Sequence, residues 1–153
     1  MGNWAETHRV RARVTFAGGR SIEGDLHMQP CTALHRDVET PLEMLNRAEE
    51  FFAITLPSSG VALVAKSQTT LVTCMAIGSD IDSDRAPGGK SVRLDVMLSD
   101  GAELSGCAYW ALPPTSARPI DFLNTTERFF ALTDDAATHY VNRGFVQEVH
   151  PLG

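Results

Sequence analysis

The sequence predicts a mainly β protein made of two repeated, small, strongly curled antiparallel barrels, with a short helix in at least the first. Three observations carry this expectation. The stretch LNRAEEFFAITL at Leu45–Leu56 returns as LNTTERFFAL at Leu123–Leu132, a 78-residue offset that aligns Leu45, Asn46, Glu49, Phe51, Phe52 and Ala53 with identical residues. Apolar residues alternate with polar ones in short runs, the period of a half-buried strand. Gly24 and Gly106 interrupt the same alternation 82 residues apart, where a sheet that curls tightly needs room.

Taken in order, Val10, Ala12, Val14 and Phe16 alternate with Arg11, Arg13 and Thr15, and Ala17-Gly18-Gly19-Arg20 supplies a hairpin turn. Ile22, Gly24, Leu26 and Met28 define the second strand. Pro30–Glu39 is a connection. Thr40-Pro41-Leu42-Glu43 is a helix start: a capping threonine, a proline at the first helical position and a glutamate that completes the reciprocal box. The apolar stripe after it is narrow, so the helix is short. Phe51–Leu56, Val61–Ala65 and Leu71–Ile77 are three further strands, separated by Pro57-Ser58-Ser59-Gly60 and by the polar break Lys66–Thr70.

Gly78–Lys90 has the small, polar composition of a linker. It divides the chain into a first unit at 8–77 and a second at 91–151. Val92, Leu94, Val96 and Leu98 restart the alternation, and Asp100-Gly101 signals a hairpin. Tyr109-Trp110 lies near the end of the next strand. Pro113-Pro114 and Pro119 stiffen the connection that follows, which is expected to be less helical than its counterpart. Phe129–Leu132, Tyr140–Asn142 and Phe145–Val149 are the remaining strands. Phe52 and Phe130 are expected to point inward, with Phe51 and Phe129 toward a helix or the other unit.

Composition narrows the function classes. The chain has 153 residues, 43 % hydrophobic and 21 % charged, as in a folded domain. No apolar run reaches the roughly 18 residues that a membrane helix needs, and MGNWAETHRV lacks the character of a secretory leader, so the cytoplasm is the expected compartment. A formal charge of −6 opposes broad attraction to nucleic acid or an anionic bilayer. Cys31, Cys74 and Cys107 are too few and too widely spaced for a disulfide framework or a four-ligand zinc site.

The segments DGAELSG, the paired MLN and FLN, and the paired EEFFAI and ERFFAL resemble those of bacterial tandem-repeat small β-barrel proteins of Sm-like or SH3-like type. The resemblance covers most of the chain and implies a fold; it carries no activity or site residue.

No motif for chemistry emerges. There is no nucleophile elbow, zinc helix or phosphate loop. Asp80, Asp82 and Asp84 suggest a calcium loop, yet the positions that need glycine and a terminal acid hold Arg85 and Val92. Asp121, Asn124, Glu127, Arg143 and Lys66 are expected as turn caps and strand-rim residues. The expectation is therefore a non-enzymatic adaptor or regulatory protein, without metal or cofactor, that binds another protein through an edge strand or a groove between its units. Self-association is a further expectation. Arg9, Arg11, Arg13, Arg20, Phe51, Phe129 and Trp110 are the candidate interaction residues. The alternatives are PilZ-like cyclic-nucleotide binding through the arginines, for which Asp80–Arg85 departs from the required second motif, and Sm-like RNA binding.

Overall fold

A computed structural model describes residues 8–29, 39–58, 60–75, 90–110 and 118–152. Cys31, Pro113-Pro114, Asp80, Asp82, Asp84 and all of the expected linker except Lys90 lie outside these residues. The first alternation forms β1 (His8–Phe16) and β2 (Ser21–Met28). Their turn closes with Phe16 N–H donating to Arg20 O at 2.8 Å and Gly19 N–H to Phe16 O at 2.9 Å. Gly19 supplies the positive φ of +91° that an L side chain resists. The same turn recurs between β6 (Lys90–Leu98) and β7 (Glu103–Trp110), with Leu98 N–H donating to Ala102 O and Gly101 also at φ +91°.

Helix α1 (Pro41–Leu45) starts as expected: Thr40 Oγ1 accepts from Glu43 N–H at 3.2 Å, and Glu43 Oε1 accepts from Thr40 N–H at 2.9 Å. It leads into β3 (Phe51–Leu56), β4 (Gly60–Ala65), a 3-10 turn at Lys66–Gln68 and β5 (Thr69–Cys74). The second half follows with α2 (Pro119–Thr125), β8 (Phe129–Thr133), β9 (Thr138–Asn142), a 3-10 turn at Arg143–Phe145 and β10 (Val146–Leu152). One expectation is corrected here. The second helix is longer than the first, seven residues against five. Pro119 occupies its start, and Asp121 takes both the Arg118 backbone N–H and the Arg118 guanidinium, the place Glu43 fills in the first helix.

The strands pair in the order β10-β6-β7-β8-β9-β5-β1-β2-β3-β4, antiparallel throughout. They form one sheet that is not closed into a barrel. Within each half the order is the same: fifth strand, first, second, third, fourth. The halves are joined where β9 pairs with β5. Among the described residues no helix is long and apolar enough to cross a membrane.

The second and third strands of each half barely share a ladder, through Asp25↔Thr55 and Leu26↔Ile54 in one and Cys107↔Thr133 in the other. The glycines sit at these crossings. A Cβ on Gly24 would lie 2.3 Å from Thr55 O, and one on Gly106 would lie 2.6 Å from Thr133 O. Each glycine thus lets a carbonyl pass where the sheet bends.

Two apolar cores result. One gathers Val10, Val14, Leu26, Met44, Leu45, Phe52, Ile54 and Val72; the other gathers Leu94, Val96, Leu98, Trp110, Phe130 and Leu132. Phe129 and Tyr140, from the second half, belong to the first core, while their neighbours Phe130 and Val141 belong to the second. Strand alternation explains this division, because successive residues of β8 and β9 face opposite sides and both sides are covered.

Candidate protein-interaction edge

The junction between the halves shows what covers a third-and-fourth-strand hairpin in this fold. β9 pairs with β5 in the register Leu71↔Val141, Val72↔Tyr140, Thr73↔His139 and Cys74↔Thr138. Asn46, just after α1, holds the start of β8 in a two-way grip: its Nδ2 donates to Phe129 O at 3.0 Å and its Oδ1 accepts from Phe129 N–H at 2.8 Å. Asn142 is buried and donates to Lys66 O at 3.1 Å and Thr69 O at 2.8 Å. Thr73 Oγ1 meets His139 Nδ1 at 3.0 Å, and His139 Nε2 meets Asp134 Oδ2 at 3.1 Å. Arg128 pairs with Glu50 at 2.9 Å. Phe129 and Tyr140 are left 1 % and 0 % exposed.

The β3–β4 hairpin of the first half has the same construction and, among the described residues, no such cover. Its cross-strand pairs Phe51↔Ala65, Ala53↔Leu63 and Thr55↔Val61 put Phe51, Val61 and Leu63 on the outer face. These three are 57 %, 42 % and 68 % exposed. Among the described residues β4 is also the last strand of the sheet, so one side of its backbone has no described strand beside it. Beside Phe51 lies a cavity of about 110 Å³ lined in part by His27, Met44, Arg47 and Lys66. An apolar face, an open backbone edge and an adjoining cavity together are equipped for strand addition with a side-chain pocket.

The sequence-predicted residues are distributed unevenly around this edge. Phe51 lies on it. Arg9, Arg11 and Arg13 occupy the wet face of β1, and each has a carboxylate near: Arg13 pairs with Glu23 at 2.9 Å, and Arg11 and Arg9 approach Asp25 at 3.5 and 4.0 Å. Arg20 sits 5.4 Å from the Phe16 ring centroid. Phe129 and Trp110, expected at an interaction surface, are buried instead. Phe129 fills the first core, and Trp110 stacks on Phe122 at 4.7 Å. Asn46 and Leu63 were not among the predicted site residues; the repeated Asn of the LN segment was the available signal for the first.

The polar groups nearby are committed to structure. Lys66 is buried with Nζ donating to Arg47 O at 2.8 Å, and burial, followed by the nearby Arg47 charge, lowers its pKa. Arg143, its counterpart, donates to Thr126 O at 2.7 Å. Each cation thus satisfies carbonyls at the end of a helix. Arg143 also lines an open groove of about 490 Å³ with Ser67, Glu127, Arg128 and Asn142. His27 is buried against Thr55 Oγ1 at 2.6 Å, and its pKa is lowered by burial and then by Arg9. Among the described residues no group of three His, Cys, Asp or Glu is placed to hold a metal.

Hydrogen bonds from Arg128 and then Ser67 hold the Glu50 carboxyl at about 2, against an ordinary 4.5. A carboxylate with a depressed folded pKa stabilises the fold above its unfolded pKa, and that contribution is lost as pH falls through the folded value. The junction is therefore expected to weaken between pH 4.5 and about 2. Glu50→Gln should flatten this part of the stability-against-pH curve, measured by denaturant midpoint. Because the pair is exposed, the difference should be small and should shrink in high salt.

Comparison with known proteins finds no matching family model, and no match among curated proteins or solved structures.

Proposed function

We propose that the protein is a non-enzymatic adaptor or regulatory component that recognises another protein through the β3–β4 hairpin face and the β4 edge. The observation that carries this reading is the contrast between equivalent hairpins: Leu63 stands exposed where Tyr140 is buried. On this reading each half is a strongly curled small barrel unit of Sm-like or SH3-like type, and the protein works in the cytoplasm. The edge supplies backbone pairing, and Phe51, Val61 and Leu63 supply apolar contact. The phosphate-binding alternatives find less support, because Arg9, Arg11 and Arg13 already face carboxylates that an anion would have to displace.

Affinity capture from the native cell extract, with Leu63→Arg as control, tests the proposal. The expected result is a reproducible protein partner retained by the wild-type chain and lost with Leu63→Arg. Specific recovery of one small phosphate-containing ligand or of RNA, with no protein lost in the variant, overturns it.

A further inference from the structure

We infer that the partner of the β4 edge is a second copy of this chain, docked head to tail through its β10 edge and α2. This rests on the edge reading above and identifies its occupant. The internal junction provides the template: the fifth strand and helix of one half receive the third-and-fourth-strand hairpin of the other. Among the described residues the same two surfaces stand uncovered at the two ends of the sheet, since β10 is the fifth strand of the second half and β4 the fourth strand of the first. Both are edges of the sheet.

The receiving surface carries the marks of a missing cover. Met44, Leu45, Val72 and Val10 are buried in the first half, where the β8–β9 hairpin lies over them. Their counterparts Phe122, Leu123, Val149 and Val92 are only partly buried in the second. Asn46 grips the Phe129 backbone, whereas its counterpart Asn124 is exposed. The incoming hairpin shows the reverse deficit, with Phe51 and Leu63 exposed where Phe129 and Tyr140 are buried. Both halves of a second junction are therefore present on every chain.

Transferring the internal register gives the expected pairs: Glu148 with Val64, Val149 with Leu63, His150 with Ala62 and Pro151 with Val61 of the second copy. Pro151 has no N–H and ends the ladder there. Asn124 is placed to take the Phe51 backbone as Asn46 takes Phe129. Arg128 then comes beside Glu50 of the second copy, where each must be shared with the partner it already holds within its own chain. The second junction lacks two staples of the first, since Ala65 stands for Asn142 and Ala62 for His139. It is accordingly weaker and dissociates on dilution. Such an interface is heterologous, giving rings if its rotation closes and open chains if it does not.

Native mass spectrometry and light scattering on the full chain test this with two surface variants, Leu63→Arg on the hairpin and Asn124→Arg on the receiving side. Both positions are exposed, and circular dichroism with a melting curve checks that each variant is folded. The wild type is expected to form concentration-dependent oligomers, and each variant alone to be monomeric. Mixing the variants should restore one-to-one dimers and nothing larger, because each retains the surface the other has lost. A monomeric wild type, or oligomers unaffected by both substitutions, overturns the inference. If the wild type is monomeric yet captures a different protein in a Leu63-dependent way, self-docking fails while the edge reading stands. If the oligomers behave as expected and extract capture yields only a phosphate ligand, the adaptor reading fails instead.

Discussion

Gly24→Ala lowers the chemical-denaturation midpoint far more than Gly18→Ala does. The two glycines lie six positions apart in the same hairpin and differ in what a methyl group would meet. At Gly18 there is nothing within 4 Å; at Gly24 the new carbon would lie 2.3 Å from Thr55 O and 2.9 Å from Ile54 Cγ1. The Ile54 side chain has some freedom to turn away, but the carbonyl belongs to a strand that pairs on its other side with β4. Relief requires β2 and β3 to separate, and they are held to each other at only two register pairs. The cost is expected at or above the upper end of the roughly 1–3 kcal/mol typical of overpacking. That is a large share of the roughly 5–15 kcal/mol that holds a domain folded. Gly106→Ala should behave alike, with Thr133 O at 2.6 Å. Equal midpoints for Gly18→Ala and Gly24→Ala would remove the basis for this assignment.

Those glycines were legible because an interrupted alternation has a simple physical cause, and the same interruption occurred twice. The strands, hairpin turns and Thr40 cap were legible for similar reasons: each depends on residues close together in sequence. Asp121 caps as expected, but the length of α2 was not foreseen, because its carboxylate on the Arg118 N–H does alone the work that Glu43 shares with Thr40 in the first helix. The joining of the halves was hidden for a different reason. Pairing of β5 with β9 brings together residues about 70 positions apart, such as Leu71 and Val141, and nothing local specifies it. The candidate edge depends on that joining. Phe51 and Phe129 are identical residues in matching segments, and sequence offers no way to tell which is covered. Trp110 was likewise placed near a strand end without any sign that Phe122 would stack on it.

Phe129→Ala and Phe51→Ala are expected to separate by several kcal/mol in the dissociated chain, although the repeat makes the positions equivalent. Phe129 is enclosed by the first core, its backbone clasped by Asn46. Removing its ring leaves a cavity between the halves, and phenylalanine truncations of this kind cost about 3–5 kcal/mol. Phe51 is mostly solvent-facing, so its truncation should stay within about 0.5 kcal/mol. The measurement is urea denaturation at protein concentrations low enough to keep the chain monomeric. Similar losses for the two variants would mean that the halves do not cover one another as described. Raising the protein concentration adds a second comparison. A partner that binds only the folded chain stabilises it by mass action, so wild-type stability should climb with concentration. Phe51→Ala removes a ring from the docking face and should blunt that climb without altering the dilute-limit midpoint. Phe129→Ala should shift the whole curve downward, because its ring acts inside one chain rather than between two.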